Sequence, residues 1–593
     1  MHQFFTSKKI NLFILLVILI ITSWAYLTCL SSELVDWDDQ FQISNNLDIK
    51  SWSLISVQKI FSNYYAGMYQ PLATLSFALE HKIWRAFPLF LHLDNLLLHL
   101  LNIVLVYFLT KKLFRRSSVA LISAGLFALH PMQVETVAWI SARSNLLYSA
   151  FSLATLIAYA NYCQKPKTKN YLITNALFIL ALLSKVPAVV LPLIFLVFDY
   201  YYQRHLTKRL LSEKVPFFVL SLVIGWVAIK GRLVDSELPA VVYSWLDRLL
   251  FITYSPLDYL QKIILPYNLS PFYALPEKIN NHLPIIFYLS VPVCLIFFWL
   301  LFKYRAKKFL TLGMAWFLLL LLPSIQITTF STTLTADRYA YLASLGIFWL
   351  LGLAILFIWE HFKNLKIFLV SALLLTLVFL FIQTSAQARV WKNSISLWSE
   401  ILVRNPKSTN TYINLGNAKA KNNDPLGAME AYQSALKIDK QNYFIYNNIG
   451  VLLAENLNKF PESIEYYNQA IKLNPNEGLF YYNRGSVLLK LNRPEEALVD
   501  YRLAVKLKSG ENFYNYSYLN SLANLEYKLN HFAEADKTYT EIIATEPQLA
   551  DPYFFRGLTK IKLKNLELGC QDLRLAEKLG YQDKDKNLAK FCK

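Results

Sequence analysis

The chain has 593 residues, of which 55% are apolar, 15% aromatic and only 17% charged; that is too long for one soluble core and too poor in charge for an ordinary soluble protein. A disordered chain and a single soluble globule are both excluded. The five cysteines (Cys29, Cys163, Cys294, Cys570, Cys592) are widely spaced without a C-x-x-C pair, which excludes a zinc module and a disulfide-dense scaffold, while the formal charge of +19 invites a nucleic-acid reading.

The apolar run Asn11 to Leu30 follows Lys8 and Lys9 and is long enough to cross roughly 30 Å of hydrocarbon at about 1.5 Å per residue. A cleaved signal peptide would have a shorter apolar region, so an uncleaved first span is expected. Further apolar runs lie at about 90–110, 117–131, 145–163, 171–184, 187–203, 214–230, 283–302, 309–327, 343–359 and 366–385, which predicts eleven spans within a membrane domain of residues 1–387. With a cytoplasmic N-terminus every inward loop is basic: Lys8/Lys9, Lys111/Lys112/Arg115/Arg116, Lys165/Lys167/Lys169, Arg204/Lys208/Arg209/Lys214, Lys303/Arg305/Lys307/Lys308 and Lys363/Lys366. The positive-inside rule accounts for the excess charge. The partner it implies is a lipid bilayer, and no nucleic acid is expected. An odd number of crossings places residues 388–593 in a periplasm or organelle lumen, with a bacterial inner membrane preferred to an endoplasmic reticulum. Residues 246–281 must stay on that outer side, and they read as an interfacial or re-entrant helix because Asp247, Arg248 and Asp258 would be costly in lipid.

Polar groups collected at the outer ends of spans are where chemistry is expected. Directly after the first span come Val35-Asp36-Trp37-Asp38-Asp39-Gln40. Crowded carboxylates raise one another's pKa, which poises one as a base while its neighbour stays ionised; solvated acids closing a helix are the plainer alternative. On the second span His92, Asn95, His99 and Asn102 share one helical face. Such a stripe either lines a pocket or makes interhelical hydrogen bonds. His130-Pro131-Met132-Gln133-Val134-Glu135 ends the third span, Arg143 follows, and Asp337-Arg338-Tyr339 lies in a later outward loop. Arg143, Arg232 and Arg338 are the few cations of the short outward loops, and a guanidinium fork suits a lipid-linked phosphate. The alternative is ion pairing with sequence neighbours, Arg143 with Glu135 and Arg338 with Asp337.

Beyond residue 388 the sequence repeats. Gly416, Gly450, Gly485, Ala523 and Gly557 are 34, 35, 38 and 34 residues apart, and Tyr432, Tyr467, Tyr501 and Tyr539 recur between them. This resembles the tetratricopeptide repeat, a helix hairpin of about 34 residues: five units after a leading half unit around Trp391, Trp398 and Pro406. Such repeats hold a peptide or partner protein, or serve as a plain scaffold. Cys570 and Cys592 fall in the terminal helices on the oxidising side, where a disulfide and two free thiols both stay open.

The order of Trp37-Asp38-Asp39, Gln70-Pro71-Leu72 with Glu80, His92-Leu93-Asp94-Asn95 with His99, His130-Pro131 with Glu135, Leu183-Ser184-Lys185 and Arg338-Tyr339-Ala340-Tyr341-Leu342, followed by the repeats, resembles the transmembrane and tetratricopeptide-repeat O-mannosyltransferases and their bacterial relatives. The resemblance implies an all-α, polytopic, GT-C-like membrane bundle followed by an α-solenoid. It also implies a polyprenyl-phosphate sugar donor, dolichyl phosphate mannose in the animal members, and transfer to Ser or Thr hydroxyls of an acceptor protein. The family's acidic pair falls on Asp38 and Asp39. Asp38 is then the general base of a single inverting displacement, and Asp39 orients the acceptor or shares a divalent metal, for which no requirement is fixed. Arg143 and Arg338 hold the donor phosphate, while Glu80, His92, His99, His130 and Glu135 are candidates for the sugar or acceptor pocket. Val186 and Glu80 depart from the usual Glu and Asp of that pattern, which bears on the donor sugar. A non-enzymatic, membrane-anchored repeat scaffold needs only one anchoring helix, and a transporter is expected to show a duplicated membrane half, which is not seen.

Overall fold

The structure, a computed structural model, describes residues 8–205, 207–235, 243–325, 333–507, 512–583 and 587–592. It divides into two compact units, Met1–Pro406 and Lys407–Lys593.

In the first unit a helix forms at each of the eleven apolar runs. Among the described residues seven are long and apolar enough to cross a membrane: Lys8–Ala25, Pro88–Phe114, Ile140–Gln164, Lys208–Gly231, Ile285–Lys303, Asp337–His361 and Lys363–Val390. Ser117–Leu129 and Pro131–Ala138, bent by 58° at the break, add an eighth if they count as one span. The number meeting that test is therefore lower than the eleven expected, for a physical reason. Val186–Tyr201 and Lys308–Ser324 are shorter helices, and the 17 residues of Thr168–Ser184 reach only about 25 Å at 1.5 Å per residue, less than a hydrocarbon core.

Segment 246–281 supplies an amphipathic helix, Trp245–Ile264, that is not among the seven. Its N-terminus carries a capping box between Ser244 and Asp247. Its charges are neutralised locally, Asp247 by Lys278 at 2.6 Å and Asp258 by Lys262 at 2.7 Å. The segment after it contributes Tyr273–Ala274, which pairs antiparallel with Thr333–Thr335. That small ribbon interrupts an otherwise helical unit among the described residues.

Helix Ser394–Arg404, expected as a leading half repeat, packs in the first unit. Aromatic stacking and backbone bonds explain this. Glu33 N–H donates to the Lys392 carbonyl at 2.9 Å, Asp36 N–H donates to Ser394 Oγ at 2.8 Å, and Trp37 lies 5.3 Å from the Trp398 ring and 6.5 Å from Trp391.

The second unit contains five helix pairs among the described residues, beginning with Thr409–Lys421/Pro425–Ile438 and ending with Ala550–Lys562/Leu566–Lys578. In the first three repeats the small residue of the first helix is required by contact with a tyrosine ring. A Cβ on Gly416 would sit 2.4 Å from the Tyr432 ring, and one on Gly450 2.7 Å from Tyr467. The turn inside each hairpin holds one residue in the left-handed region: Asn423, Asn458, Asn492, Asn530 and Lys564. It follows the small residue by seven positions in every repeat but the second, where it follows by eight. The extra residue is absorbed by a π-helical turn, Leu452–Asn456. Cys570 and Cys592 are joined by a disulfide that ties the last hairpin to helix Asn587–Phe591.

Candidate active site

The loop after the first span is held from below. Asp39 is buried, its Oδ2 accepting from Val35 N–H at 3.0 Å and its Oδ1 accepting from Ser141 N–H at 3.1 Å and from the Ser141 hydroxyl. Burial pushes this carboxyl up to about 6; the bonds from Ser141 and Val35 restrain the rise and the neighbouring Asp38 adds to it. Both oxygens thus have protein partners, so Asp39 shapes the loop. Trp37 wedges the other side, 5.3 Å from Trp139, which itself stacks on Trp391. Asp38 is left half-buried between these anchors and acts electrostatically on Arg338.

Arg338 is gripped by Glu135. Its backbone N–H donates to Glu135 Oε2 at 2.8 Å, its guanidinium pairs with Oε1, and the guanidinium carbon lies 5.3 Å from the Trp139 ring centroid. One residue earlier, Asp337 accepts from the Tyr273 hydroxyl at 3.0 Å. The ammonium of Lys262 lies 3.3 Å from the Tyr273 ring centroid and donates to Asp258 at 2.7 Å. Arg338 also borders a narrow cavity together with Tyr339, Asn145, Ser149, Pro187 and Pro323. The first outer loop, the Glu135 helix and the Arg338 turn therefore converge around Trp139, and Arg338 is the residue that also borders the cavity.

Arg143 lies elsewhere. It is 1% exposed, and its guanidinium pairs with Glu80, donates to Asn95 Oδ1 at 2.8 Å and to the Leu91 carbonyl at 2.7 Å, and covers the Phe77 ring at 4.6 Å. The expected neighbour pairings, Arg143 with Glu135 and Arg338 with Asp337, are replaced by Arg143 with Glu80 and Arg338 with Glu135. The side chain of Arg232 lies outside the described residues.

The polar stripe of Pro88–Phe114 makes interhelical bonds. Asn95 donates to the carbonyls of Val137 and Trp139, and Asn102 to that of Leu146. His99 Nδ1 shares a hydrogen bond with the Tyr341 hydroxyl at 2.8 Å, and His92 is buried beside Arg143. His130 bonds the Ile263 carbonyl at 3.0 Å. Of the expected pocket residues, Glu135 alone touches Arg338; Glu80, His99 and His130 bond neighbouring segments around the site, and His92 is buried. Among the described residues no three His, Cys, Asp or Glu side chains converge as a metal site. Sequence reasoning left Lys262, Tyr273, Asn145 and Ser149 unassigned. The one local signal was spacing, since Asp258/Lys262 and Asn145/Ser149 are both i,i+4 pairs.

Residues 69–229 match the family model described as dolichyl-phosphate-mannose-protein mannosyltransferase, and residues 409–442 and 451–512 match tetratricopeptide-repeat models. A protein O-mannosyl-transferase of Caenorhabditis elegans is 27% identical over 446 residues, covering 72% of this chain and 62% of the relative. Human protein O-mannosyl-transferase TMTC3 is 24% identical over 594 residues, covering 89% of this chain and 60% of the relative. The chain thus spans about three fifths of the length of these curated relatives. Among solved structures, a tetratricopeptide-repeat protein described as having an unusual peptide-binding site, YrrB, is 22% identical, with 32% of this chain and 95% of that one covered at a TM-score of 0.27. In sequence the chain is a relative of the transmembrane and tetratricopeptide-repeat O-mannosyltransferases.

Proposed function

From that relationship we propose that the protein is an integral-membrane glycosyltransferase. In this reading it moves a sugar, mannose or a similar hexose, from a polyprenyl-phosphate donor to Ser or Thr hydroxyls of exported proteins. The observation that carries the reading is the position of Asp38: a half-buried carboxylate on a braced loop, acting electrostatically on Arg338, a half-buried arginine that borders a cavity.

A neutral hydroxyl is a poor nucleophile, and removing its proton in the transition state contributes on the order of a hundredfold to ten-thousandfold. Asp38 takes that proton as the acceptor oxygen bonds to the anomeric carbon. The bond from that carbon to the phosphate oxygen breaks in the same step, with inversion, and polyprenyl phosphate departs carrying the electron pair. Arg338, fixed by Glu135, stabilises the charge growing on the leaving phosphate. Arg143 acts as a positioning residue, since its donors engage Glu80, Asn95 and Leu91. The N-terminus is cytoplasmic, the catalytic loop and the repeats face the periplasm or a lumen, and the repeats present the acceptor polypeptide.

Asp38→Asn tests the reading. Transfer of hexose from its polyprenyl phosphate to a Ser/Thr peptide by the purified full chain is expected to fall at least about a hundredfold, with an unchanged thermal midpoint. Retained transfer by a folded Asp38→Asn protein removes Asp38 from the reaction.

A further inference from the structure

Beside Arg338 two buried donor groups have no acceptor among the described residues. Asn145, 5% exposed, and Ser149, fully buried, both line the cavity that Arg338 borders. They lie four residues apart on the helix Arg143–Gln164 and so share a face. Asn145 Nδ2 and Ser149 Oγ each lack a hydrogen-bond partner among the described residues. Native proteins seldom leave buried donors in that state without a ligand or water to receive them.

The orientation of the amide follows from chemistry. Lys185 Nζ lies 2.8 Å from Asn145 Oδ1. An ammonium only donates, so it must face the amide oxygen, and the NH2 group is turned to the other side. The cavity therefore gathers an amide N–H and a hydroxyl beside Arg338, whose five guanidinium N–H donors outnumber its bonds to Glu135 and Tyr339, while Pro187, Leu320 and Pro323 give it apolar walls. Donors framed by apolar surface fit a phosphoryl group whose remaining substituent is a hydrocarbon chain.

We propose that Asn145 and Ser149, with Arg338, seat the phosphate of the lipid-linked donor, and that Lys185 is the positioning residue that turns the Asn145 amide toward it. The inference rests on the glycosyltransferase reading above and assigns that reading's donor seat.

The test uses the full chain in lipid nanodiscs, with sugar-free undecaprenyl phosphate and inorganic phosphate as separate probes. Asn145→Asp keeps an acceptor for Lys185 but replaces the donor N–H with a carboxylate oxygen. It is expected to weaken undecaprenyl phosphate binding and raise the donor KM by about tenfold or more, the loss of one charge-assisted bond. Acceptor KM and the thermal midpoint should hold. Ser149→Ala should show the same pattern at about threefold, and it carries the test if Asn145→Asp does not fold; Lys185→Met should fall between. A donor KM unchanged in folded Asn145→Asp and Ser149→Ala, or a loss confined to inorganic phosphate, overturns the seat. If the wild type transfers sugar while these variants match it, the seat alone falls. If the wild type neither binds undecaprenyl phosphate nor transfers sugar, the seat falls together with the glycosyltransferase reading.

Discussion

Two ion-paired arginines of the membrane unit look alike in sequence and behave differently in the fold. Arg143 is enclosed, pairing with Glu80 and covering Phe77, with a backbone carbonyl and an amide oxygen taking its other donors. Arg338 is equally tied to a carboxylate, Glu135, and donates to the Tyr339 hydroxyl at 3.3 Å, but it borders a cavity and its field includes Asp38. A buried ion pair is thus ambiguous by itself. What separates the two arginines is whether the residue also reaches a cavity after its partners are counted.

The largest effect that sharpens this contrast falls on stability. Arg143→Ala leaves Glu80 buried without its cation and should destabilise the unit by about 3–5 kcal/mol, read as a lower thermal midpoint in detergent; transfer per folded molecule should fall far less. Arg338→Lys keeps a charge for Glu135 and loses the planar fork. Transfer should drop on the order of a hundredfold with the midpoint nearly constant, and equal behaviour of the two variants would break the comparison.

A smaller effect concerns the floor beneath Asp38. Asp39 keeps its proton up to about 6 in the fold, against 3.8 for the free group. Between those values the unfolded chain binds fewer protons, so its contribution to stability is present below about pH 4 and is lost as pH rises through about 6. Wild-type stability relative to Asp39→Asn should fall by roughly 2 kcal/mol across that window and stay level above it; melts at pH 4, 5, 6 and 7 measure this. The smallest is Trp37→Ala, which removes the wedge but leaves Asp39 bonded. It should slow transfer by about tenfold through misplacement of Asp38, with donor KM unaltered in initial-rate kinetics.

Much of the fold was legible because it is periodic. Apolar runs and basic loops marked the membrane helices, and the recurrence of Gly416, Gly450 and Gly485 marked the hairpins, since each small residue meets a tyrosine ring. The site was less legible because its contacts are long-range. Glu80 is 63 positions from Arg143 and Glu135 is 203 from Arg338, and nothing local distinguishes those carboxylates from Glu135 near Arg143 or Asp337 beside Arg338. The polar stripe from His92 to Asn102 had the spacing of a pocket lining. Its partners, the carbonyls of Val137, Trp139 and Leu146, belong to a backbone whose placement side-chain spacing does not encode. Helix Ser394–Arg404 carries repeat-like residues, but Trp391 and Trp398 find their ring partner in Trp37.

One helical stretch, Ile140–Gln164, holds Ser141 under the acid loop, and eight residues along it stands Ser149. After the 3-10 turn Ile140–Ala142, the six-residue α-helical rise from Arg143 to Ser149 measures about 9 Å. A ruler of that kind keeps its graduations when the surrounding bilayer thins, tilts or breathes, so the spacing between the brace under Asp39 and the hydroxyl in the cavity is inherited from backbone pitch, insulated from the looser packing outside.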